Sequence, residues 1–299
     1  MPSTLCNPHQ EWHLCIAFTY DGESVRLDQT AYIDSMLERY GLKDCNGRDT
    51  PMKPHTYLYR SDSPDTPNKE NVKIYQQMVG SLMYLACGTR PDISFAVGQC
   101  AQFMSNPGDK HLEAVKHVFR YLKKTRNVGL VYSRMTPGLA NVLYGFVDAD
   151  HAGNSEHRRS TAGYVMMLNG AAVSWASSKI KAVALSSFES EWYAASICGC
   201  EVEALRRTLE EVGYEQSTAT TLYEDNAATI YSSDPERPMS QRSKHIDTRV
   251  YRLRDLVRDD ILILDKVESH HQMADVLTKA LAAEPVTAAR RYLSGDPAA

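Results

Sequence analysis

The sequence lacks any apolar run near the ~20 residues that a membrane-spanning helix needs. Its first residues, Met1 to Cys6, also lack the charged and then apolar pattern of a secretory signal. We therefore expect a soluble, intracellular protein with no membrane partner.

The net charge of the chain is small as well. A formal charge of −4 excludes a uniformly basic nucleic-acid binder, although it is compatible with a local basic surface that faces phosphates.

The cysteines do not form the pattern of a disulfide framework. The seven cysteines are scattered and odd in number, so we expect a reducing compartment. Cys198 and Cys200 lie close together, but the partner pair and the spacing of a zinc site are absent. The 299 residues, 43% of them hydrophobic, are enough for one large globular domain or two ordinary ones.

A change of pattern near residue 137 divides the sequence into two parts. The first part is predicted to be mainly helical, because its apolar residues recur at helical spacing. Its predicted elements are strands at 12–18 and 25–27, a helix at 30–40, a polar loop at 61–72, and helices at about 75–88, 93–104 and 111–125.

The second part follows a turn-rich linker at 133–138 and is predicted to contain a mixed sheet. Its predicted elements are strands at 142–148, 161–168 and 171–176, a helix near 188–212, a strand at 219–224, a helix, a polar loop at 233–243, a helix at 246–258 and a strand at 261–267. Three strands followed by alternating strands and helices indicate a sheet with helices on its faces.

Four carboxylates on segments of different types are the strongest indication of chemistry. Asp148 ends an apolar run, Glu191 opens a helical stretch, Asp225 follows a short strand, and Asp275 lies within QMADVLTK. Acids at strand ends and helix starts can converge on one sheet edge, where they would hold two divalent cations roughly 3.5–4 Å apart. Taken singly, such an acid is more often a turn residue or a helix N-cap. Only the combined order and spacing therefore supports a metal site.

Seven short blocks occur in a fixed order in the second part. They are GFVDADHAG (145–153), RSTAGY (159–164), SWASSK (174–179), LSSFESEW (185–192), EDN (224–226), KHIDTR (244–249) and QMADVLTK (272–279). With these blocks, residues 142–282 closely resemble the ribonuclease H domain of Ty1/copia-type retrotransposon polyproteins.

The first part resembles the same polyproteins. The blocks QQMVGSLMYL (76–85), TRPDI (89–93) and RYLKKT (120–125) are similar to the reverse-transcriptase segment downstream of the polymerase palm. The resemblance thus covers about residues 11–283. The paired aspartates of the palm, Tyr-x-Asp-Asp, do not occur in the sequence, so no polymerase chemistry is assigned to it.

The resemblance implies an α/β (α+β) architecture. We expect an RNase H-like mixed five-stranded sheet flanked by helices, preceded by a mainly helical reverse-transcriptase segment of the thumb or connection type. The implied domains are residues 1–136 and 137–283, with 284–299 as a tail. The implied catalytic and metal-binding quartet is Asp148, Glu191, Asp225 and Asp275, which would hold two Mg²⁺ ions, with Mn²⁺ as a substitute.

Neighbouring residues compete with the quartet or assist it. Glu191 is preferred to Glu189 because the block from Glu191 resembles the motif in which an acid opens a helix, and Glu189 would point elsewhere on that helix. Asp148 is preferred because it directly ends the apolar strand, and Asp150, on the same face by alternation, is an auxiliary candidate.

Two histidines are also auxiliary candidates. Many ribonucleases H use a mobile histidine before the last aspartate, and His270 and His271 lie five and four residues before Asp275. That spacing is closer than in the cellular enzymes. Either histidine is a candidate for aiding product release, and the alternative is a merely solvated side chain.

Nine further residues are candidate contacts for nucleic acid through charge or hydrogen-bond donors. They are Arg120, Lys123, Lys124, Arg159, Ser178, Lys179, Asn226, His245 and Arg249. His245 and Arg249 are one helical turn apart and therefore share a face of the helix. That face would either contact substrate phosphate or form an ordinary salt bridge within the protein. For the other basic residues, a solvated surface is the alternative.

The function that the resemblance implies is cleavage of the RNA strand of an RNA–DNA hybrid, leaving a 3′-hydroxyl and a 5′-phosphate. The expected partners are the hybrid and the upstream reverse-transcriptase palm, in the cytoplasm, a virus-like particle or the nucleus. Two alternatives are open. One is a catalytically idle nucleic-acid-binding fragment, and the other is another nuclease of the same architecture, such as an integrase or resolvase.

Overall fold

The computed structural model describes residues 9–133, 140–151, 159–180, 184, 186–237 and 249–296. The chain divides into two compact units. The first unit comprises Met1–Ala140, Asn169–Ala172 and Ala280–Ala299, and the second unit comprises Asn141–Leu168 and Val173–Lys279.

The first unit combines helices with an antiparallel sheet. Its elements up to residue 133 are β1 (His9–His13), β2 (Ile16–Tyr20), β3 (Ser24–Asp28), α1 (Thr30–Arg39), α2 (Lys69–Gly88), α3 (Ser94–Ala101), α4 (Asp109–Lys124) and β4 (Leu130–Ser133). The strand order is β1-β2-β3-β4, and each neighbouring pair is antiparallel. The segment predicted to be mainly helical therefore also carries a four-stranded sheet.

The second unit is built on a mixed sheet. Its elements are β5 (Tyr144–Asp150), β6 (Thr161–Leu168), β7 (Ala171–Lys179), α5 (Ser187–Glu211), β8 (Thr220–Glu224), α6 (Ala227–Ser233), α7 (Arg249–Arg258) and β9 (Leu262–Lys266). The strand order is β7-β6-β5-β8-β9, with β5 antiparallel to β6 and parallel to β8, and with β8 parallel to β9. The predicted RNase H-like mixed five-stranded sheet with flanking helices is confirmed.

The core of the second unit lies between the sheet and α5. Val147 of β5 and Leu222 of β8 are fully buried and belong to one cluster with Trp192 of α5 and Leu253 of α7. Six of the seven residues of β5 are buried, as expected for a central strand that is covered on both faces. Within the described ranges, no helix combines the length and the hydropathy that a bilayer-spanning segment requires.

The strand predicted at 12–18 is instead a tight hairpin between β1 and β2. Leu14 and Cys15 form its turn, with φ values of 47° and 60°. Two consecutive residues with positive φ suit the twist of a hairpin, but Asn and Gly normally occupy such positions. Neither is present here, so no turn signal was visible in the sequence.

Two other elements differ from the prediction. Helix α2 begins at Lys69, inside the predicted polar loop, because the side chain of Asn68 caps it by accepting hydrogen bonds from the N–H groups of Glu70 and Asn71 at 3.0 and 3.2 Å. Strand β4 was not predicted. It has only four residues, and its partner β3 is distant in the sequence.

A final helix, α8 (Ala283–Ser294), belongs to the first unit. The sequence interpretation set residues 284–299 apart as a tail, whereas the structure places most of them in this helix. Val286, Ala289 and Leu293 recur at helical spacing and are buried. Val286 is part of the first unit's core, which explains why the segment is helical and packed.

A buried ion pair in the first unit joins the segment after α2 to α4. Arg90 donates hydrogen bonds from Nε and Nη2 to the two oxygens of Asp92 at 2.9 and 2.7 Å, and the hydroxyl of Tyr121 donates to Asp92 at 2.6 Å. Arg90 and Asp92 are 0% and 2% exposed. Burial alone would raise the pKa of Asp92, but Arg90 and Tyr121 overcome this and hold that pKa below its usual range.

Breaking this pair should destabilise the first unit. Because Arg90→Met leaves Asp92 buried without its cation, we expect the free energy of unfolding to fall by about 3–5 kcal/mol. Urea denaturation followed by circular dichroism measures this loss. The control is Glu38→Gln, which removes the exposed pair of Lys43 and Glu38 and should leave stability almost unchanged. Equal effects of the two substitutions would contradict the interpretation.

Candidate active site

Asp148 lies on the central strand of the second unit's sheet. Strand β5 continues past it to Asp150, so Asp148 does not end its strand as the sequence suggested. The residue opposite it on β6 is Gly163. Asp148 is 3% exposed, and its Oδ2 accepts a hydrogen bond from the hydroxyl of Thr278. The carboxylate is therefore fixed inside the unit and is not part of a surface turn.

Helix α5 brings Glu191 to the same region. The helix begins at Ser187, and the side chain of Ser186 caps it by accepting a hydrogen bond from the N–H of Glu189 at 3.2 Å. Glu191 consequently lies in the second turn of α5, whereas the sequence suggested that it opens the helix. It is 5% exposed, whereas Glu189 occupies the first turn and is only partly buried.

Asp225 forms a compact group with Asp148 and Glu191. It directly follows β8, and its Oδ2 accepts a hydrogen bond from the hydroxyl of Ser269 at 2.8 Å. One carboxylate oxygen from each of the three acids lies within 4.8 Å of the other two. We call these three residues the carboxylate group.

Asp275, the fourth predicted acid, is connected to Asp148 by a cation. It lies on a 3-10 helix at Met273–Leu277. The Nζ of Lys279 is 2.8 Å from Asp275 Oδ1 and 3.9 Å from Asp148 Oδ2. Lys279 thus offsets part of the negative charge of both carboxylates and keeps Asp275 beside the carboxylate group.

Gln272 attaches the segment that carries Asp275 to the sheet. Its side chain is buried, and its Nε2 donates to the backbone oxygen of Val147 at 2.9 Å and lies 3.5 Å from that of Tyr223. Its Oε1 accepts from the N–H of Ala274 at 3.2 Å, which caps the 3-10 helix. Strands β5 and β8 pair in register as far as Phe146 and Tyr223. The amide of Gln272 therefore bridges the two strands where their own pairing stops.

Gly163 provides the space for this segment. A Cβ atom at this position would lie 2.7 Å from Cγ2 of Thr278 and 2.8 Å from Cβ of Leu277. Real Cβ atoms essentially never approach other atoms so closely. The absence of a side chain on β6 is thus what lets Thr278 reach Asp148 across the sheet.

The electrostatics of the site are dominated by buried like charges. Burial first, and then the neighbouring carboxylates Glu224, Asp148 and Asp225, raise the pKa of Glu191 to about 10. Burial and the charges of Asp148 and Asp225 likewise raise the pKa of Glu224 to about 8. In both residues the Oε2 atom is buried and has no hydrogen-bond partner among the described residues.

The pKa values of the two acids near Lys279 are raised as well. Burial and Asp148 raise the pKa of Asp275 to about 7, although Lys279 opposes this. Burial also raises the pKa of Asp150, with Lys279 opposing and Asp148 assisting. Asp150, the auxiliary candidate, is therefore part of the same charged environment.

The donor set fits a hard divalent cation. Carboxylate oxygens are the ligands that Mg²⁺ prefers, and it takes them at about 2.0–2.1 Å. The carboxylate group offers three such oxygens close together, and the buried Oε2 of Glu191 lacks any donor in the described part of the chain. A cation there would neutralise the charges that raise the pKa values, which is a physical reason for such a cluster to exist.

Three other predicted site residues lie on or beside short helices. His270 and His271 are exposed on a 3-10 helix at Ser269–His271. Asn226 caps α6 by accepting from the N–H groups of Ala228 and Thr229 at 3.0 and 3.2 Å.

The predicted basic contacts differ in how far the structure describes them. Arg159 and Ser178 are exposed, and Lys179 is partly buried at the end of β7. Arg249 begins α7, and His245 lies outside the described residues.

Three predicted basic contacts belong to α4 of the first unit, and each has an acceptor there. Arg120 donates to Glu113 at 3.0 Å, Lys123 donates to the backbone oxygen of Cys45 at 2.6 Å, and Lys124 pairs with Asp49. Contact of these three residues with nucleic acid stays a prediction.

Four residues beside the carboxylate group were missed by sequence reasoning. They are Glu224, Gln272, Thr278 and Lys279. All four lie within the quoted blocks, next to or near a predicted acid, but nothing in the spacing distinguished them from structural residues. Glu224 is the clearest omission, because it is 0% exposed and adjoins Asp225.

Comparison with known proteins finds homologues over most of the chain. The chain is 37% identical over 258 residues to the retrovirus-related Pol polyprotein from transposon TNT 1-94 of Nicotiana tabacum, a match that covers 85% of this chain and 19% of the relative. It is 34% identical over 278 residues to the Pol polyprotein from transposon RE1 of Arabidopsis thaliana, which covers 91% of this chain and 18% of the relative. The chain is therefore a homologue of the Pol polyproteins of copia-type retrotransposons over most of its own length, and it spans about a fifth of the length of these relatives.

Two further comparisons each cover less than half of this chain. Secreted RxLR effector protein 161 of Plasmopara viticola is 50% identical over 122 residues, or 41% of this chain and 84% of that protein. No family model matches the chain. LC11-RNase H1, solved in complex with an RNA/DNA hybrid, is similar over 46% of this chain and 93% of its own, with 11% identity and a TM-score of 0.34.

The raised pKa values predict how stability depends on pH in the presence of a chelator. The unfolded chain ionises these carboxyls near pH 4–4.5, whereas the folded chain retains their protons to higher pH. Stability should therefore fall as pH rises from about 4.5 to about 8, by at most about 1.4 kcal/mol per pH unit for each retained proton. Because Glu224→Gln removes one charge without changing the side-chain shape, it should raise the melting temperature at pH 8.

The test compares melting temperatures at pH 5 and pH 8 in chelator. Asp265→Asn, which removes an exposed acid of β9, is the matched control and should have little effect at either pH. If Glu224→Gln lowered the melting temperature equally at both pH values, Glu224 would serve packing alone and the charge explanation would be wrong.

A methyl group at Gly163 should displace the segment that carries Asp275. Gly163→Ala forces Leu277 and Thr278 away from β6, so we expect a loss of about 1–3 kcal/mol in stability and a smaller rise in melting temperature on adding Mg²⁺. Thermal unfolding with and without Mg²⁺ measures both effects. Gly80→Ala, on α2 with open space around the new atom, is the control and should be neutral or stabilising. A normal response of Gly163→Ala to Mg²⁺ would contradict this account.

Proposed function

We propose that the second unit is a divalent-metal-dependent endonuclease that cleaves the RNA strand of RNA–DNA hybrids. The observation that carries the proposal is the carboxylate group of Asp148, Glu191 and Asp225 on the mixed sheet, with Asp148 and Glu191 buried and Asp275 beside them. Homology to copia-type Pol polyproteins supports the choice of substrate, because the seven blocks resemble the ribonuclease H domain of those polyproteins.

The proposed reaction is hydrolysis of a phosphodiester bond in the RNA strand. The oxygen of a water molecule forms a new bond to phosphorus, the bond from phosphorus to the 3′-oxygen breaks, and that oxygen takes up a proton. The products carry a 3′-hydroxyl and a 5′-phosphate. Two bound Mg²⁺ ions, or Mn²⁺ as a substitute, would supply a lowered pKa for the attacking water and charge neutralisation for the leaving oxygen.

Each residue of the site has a proposed part in this reaction. Asp148 and Asp225 would anchor the ions, and Glu191 and Asp275 would complete their surroundings. Thr278 and Lys279 hold Asp148 in position through a hydrogen bond and an ion pair. Since the pKa of Glu191 is raised by charges that bound cations would neutralise, ion binding and ionisation of Glu191 should be coupled.

Recognition of the hybrid would use groups outside the carboxylate group. RNA is distinguished from DNA by its 2′-hydroxyls, which line a wide and shallow minor groove. Arg159 and Ser178 are exposed and remain candidates for contacts with the strands. His270 and His271, close in sequence to Asp275, remain candidates for aiding product release. The upstream reverse-transcriptase palm is the proposed protein partner.

The proposal is tested by hybrid cleavage with the whole chain. We expect cleavage of the RNA strand in Mg²⁺ and none in chelator. Asp148→Asn should lower the rate by more than about 100-fold, because even residues that only support metal ligands contribute 10–100-fold. The matched control is Asp265→Asn, which removes an exposed carboxylate of β9 and should retain the full rate.

Unchanged cleavage by Asp148→Asn would sink the assignment. Binding of the hybrid in a gel-shift assay without cleavage would favour the idle binding fragment instead. Cleavage of duplex DNA but not of the hybrid would favour a nuclease of the integrase or resolvase class.

A further inference from the structure

A second group of potential metal ligands lies on the segment that follows β9. Glu268, His270 and His271 each offer a ligand atom, and these atoms lie within 4.8 Å of one another. All three residues are exposed. His270 Nδ1 is 3.4 Å from a carboxylate oxygen of Glu268, and the rings of His270 and His271 have centroids 3.9 Å apart.

The backbone explains why these side chains converge. Residues 269–271 form one turn of 3-10 helix, and the N–H of His271 donates to the backbone oxygen of Glu268 at 2.8 Å. In a 3-10 helix, the side chains three residues apart are eclipsed. Glu268 and His271 are therefore on one side, and His270 is brought next to both. The convergence follows from a hydrogen-bonded turn as well as from side-chain positions.

The donor set differs in kind from that of the carboxylate group. It contains two imidazole nitrogens and one carboxylate oxygen, and imidazole ligands suit zinc and its neighbours in the first transition series, whereas magnesium favours oxygen. In a tetrahedral zinc site with bonds of about 2.0–2.1 Å, two ligand atoms are roughly 3.3–3.4 Å apart. The separation of 3.4 Å between His270 and Glu268 matches this distance. Exposure to solvent leaves the fourth position for water.

We propose that Glu268, His270 and His271 form a binding site for a transition-metal dication of the zinc class. An ordinary ion pair between Glu268 and His270 would explain one of the contacts, but it would not explain why the ring of His271 is also in ligand range. The metal-binding proposal does not rest on the proposed nuclease function, because none of its three ligands belongs to the carboxylate group, although His270 and His271 are also the candidates for aiding product release.

An ion at this site would also affect the carboxylate group indirectly. Ser269 lies between the ligands, and its hydroxyl donates to Asp225 at 2.8 Å. Binding of a metal ion to Glu268, His270 and His271 would fix the turn that carries Ser269. The position of the hydroxyl that holds Asp225 would then depend on the ion, which links the two sites through a single hydrogen bond.

The test is a Zn²⁺ titration of the whole chain, without nucleic acid and in excess Mg²⁺ to fill oxygen-only sites. Competition with a chromophoric chelator measures the affinity. We expect His270→Asn and His271→Asn each to weaken the binding of one Zn²⁺ at least tenfold, because each removes a nitrogen ligand, and Glu268→Gln to weaken it as well. His55→Asn, at an exposed histidine of the first unit, is the matched control and should bind as the parent does.

The result that overturns the proposal is Zn²⁺ binding by the double variant His270→Asn/His271→Asn with the affinity and stoichiometry of the parent. Such binding would belong to exposed thiols such as Cys87 and Cys200 or to the carboxylates. A parent chain that binds no Zn²⁺ in excess Mg²⁺ would overturn it too. Because all four positions are exposed, circular dichroism should show unchanged folding. Loss of the nuclease proposal would leave this result intact, and failure here would leave the nuclease proposal intact.

Discussion

Repulsion among carboxylates that share a buried site is the constraint on which the second unit depends. Asp148, Glu191 and Glu224 are each almost fully buried, and Asp225 adjoins them. A buried charge is tolerated only when it is paired or hydrogen-bonded, or when it accepts a proton. The pKa values of Glu191 and Glu224 are raised to about 10 and about 8, which favours retention of a proton by each carboxyl near neutral pH when no cation is bound. Retaining such a cluster costs stability, which is the relation between stability and function expected for the proposed metal site.

The surrounding structure limits this repulsion by a small number of specific contacts. Lys279 is paired with Asp275 and lies near Asp148, and Thr278 donates a hydrogen bond to Asp148. Gln272 attaches the same segment to the ends of two parallel strands, and Gly163 leaves the room that it needs. One segment of eight residues, QMADVLTK, thus supplies an acid, a cation, a hydroxyl and an amide to the site. Its conformation matters more to the site than any single side chain.

The first unit uses buried charge in the opposite way. Arg90 and Asp92 form a bidentate pair, and Tyr121 and Thr125 form hydrogen bonds with its remaining donors and acceptors. Both side chains therefore keep their charges although they are buried. That pair fixes the chain between α2 and α3 and needs no ligand. The basic residues of α4 that the sequence offered as nucleic-acid contacts likewise have partners within the unit. The same residue types therefore serve structure in one unit and candidate chemistry in the other.

Sequence patterns alone were enough to predict the relatives, the order of most helices and strands, and four candidate acids, because periodicity and short blocks are local properties. It did not reveal the hairpin at Leu14 and Cys15, which lacks the usual turn residues, or β4, which pairs with a strand distant in the sequence. The neighbours that contact the acids became visible in the folded chain. Thr278 meets Asp148, and Gln272 meets the carbonyl of Val147, across more than a hundred residues of chain. The burial of Glu224 beside Glu191 depends on how α5 packs on the sheet, mainly against β5 and β6, and no local pattern in the sequence records that packing.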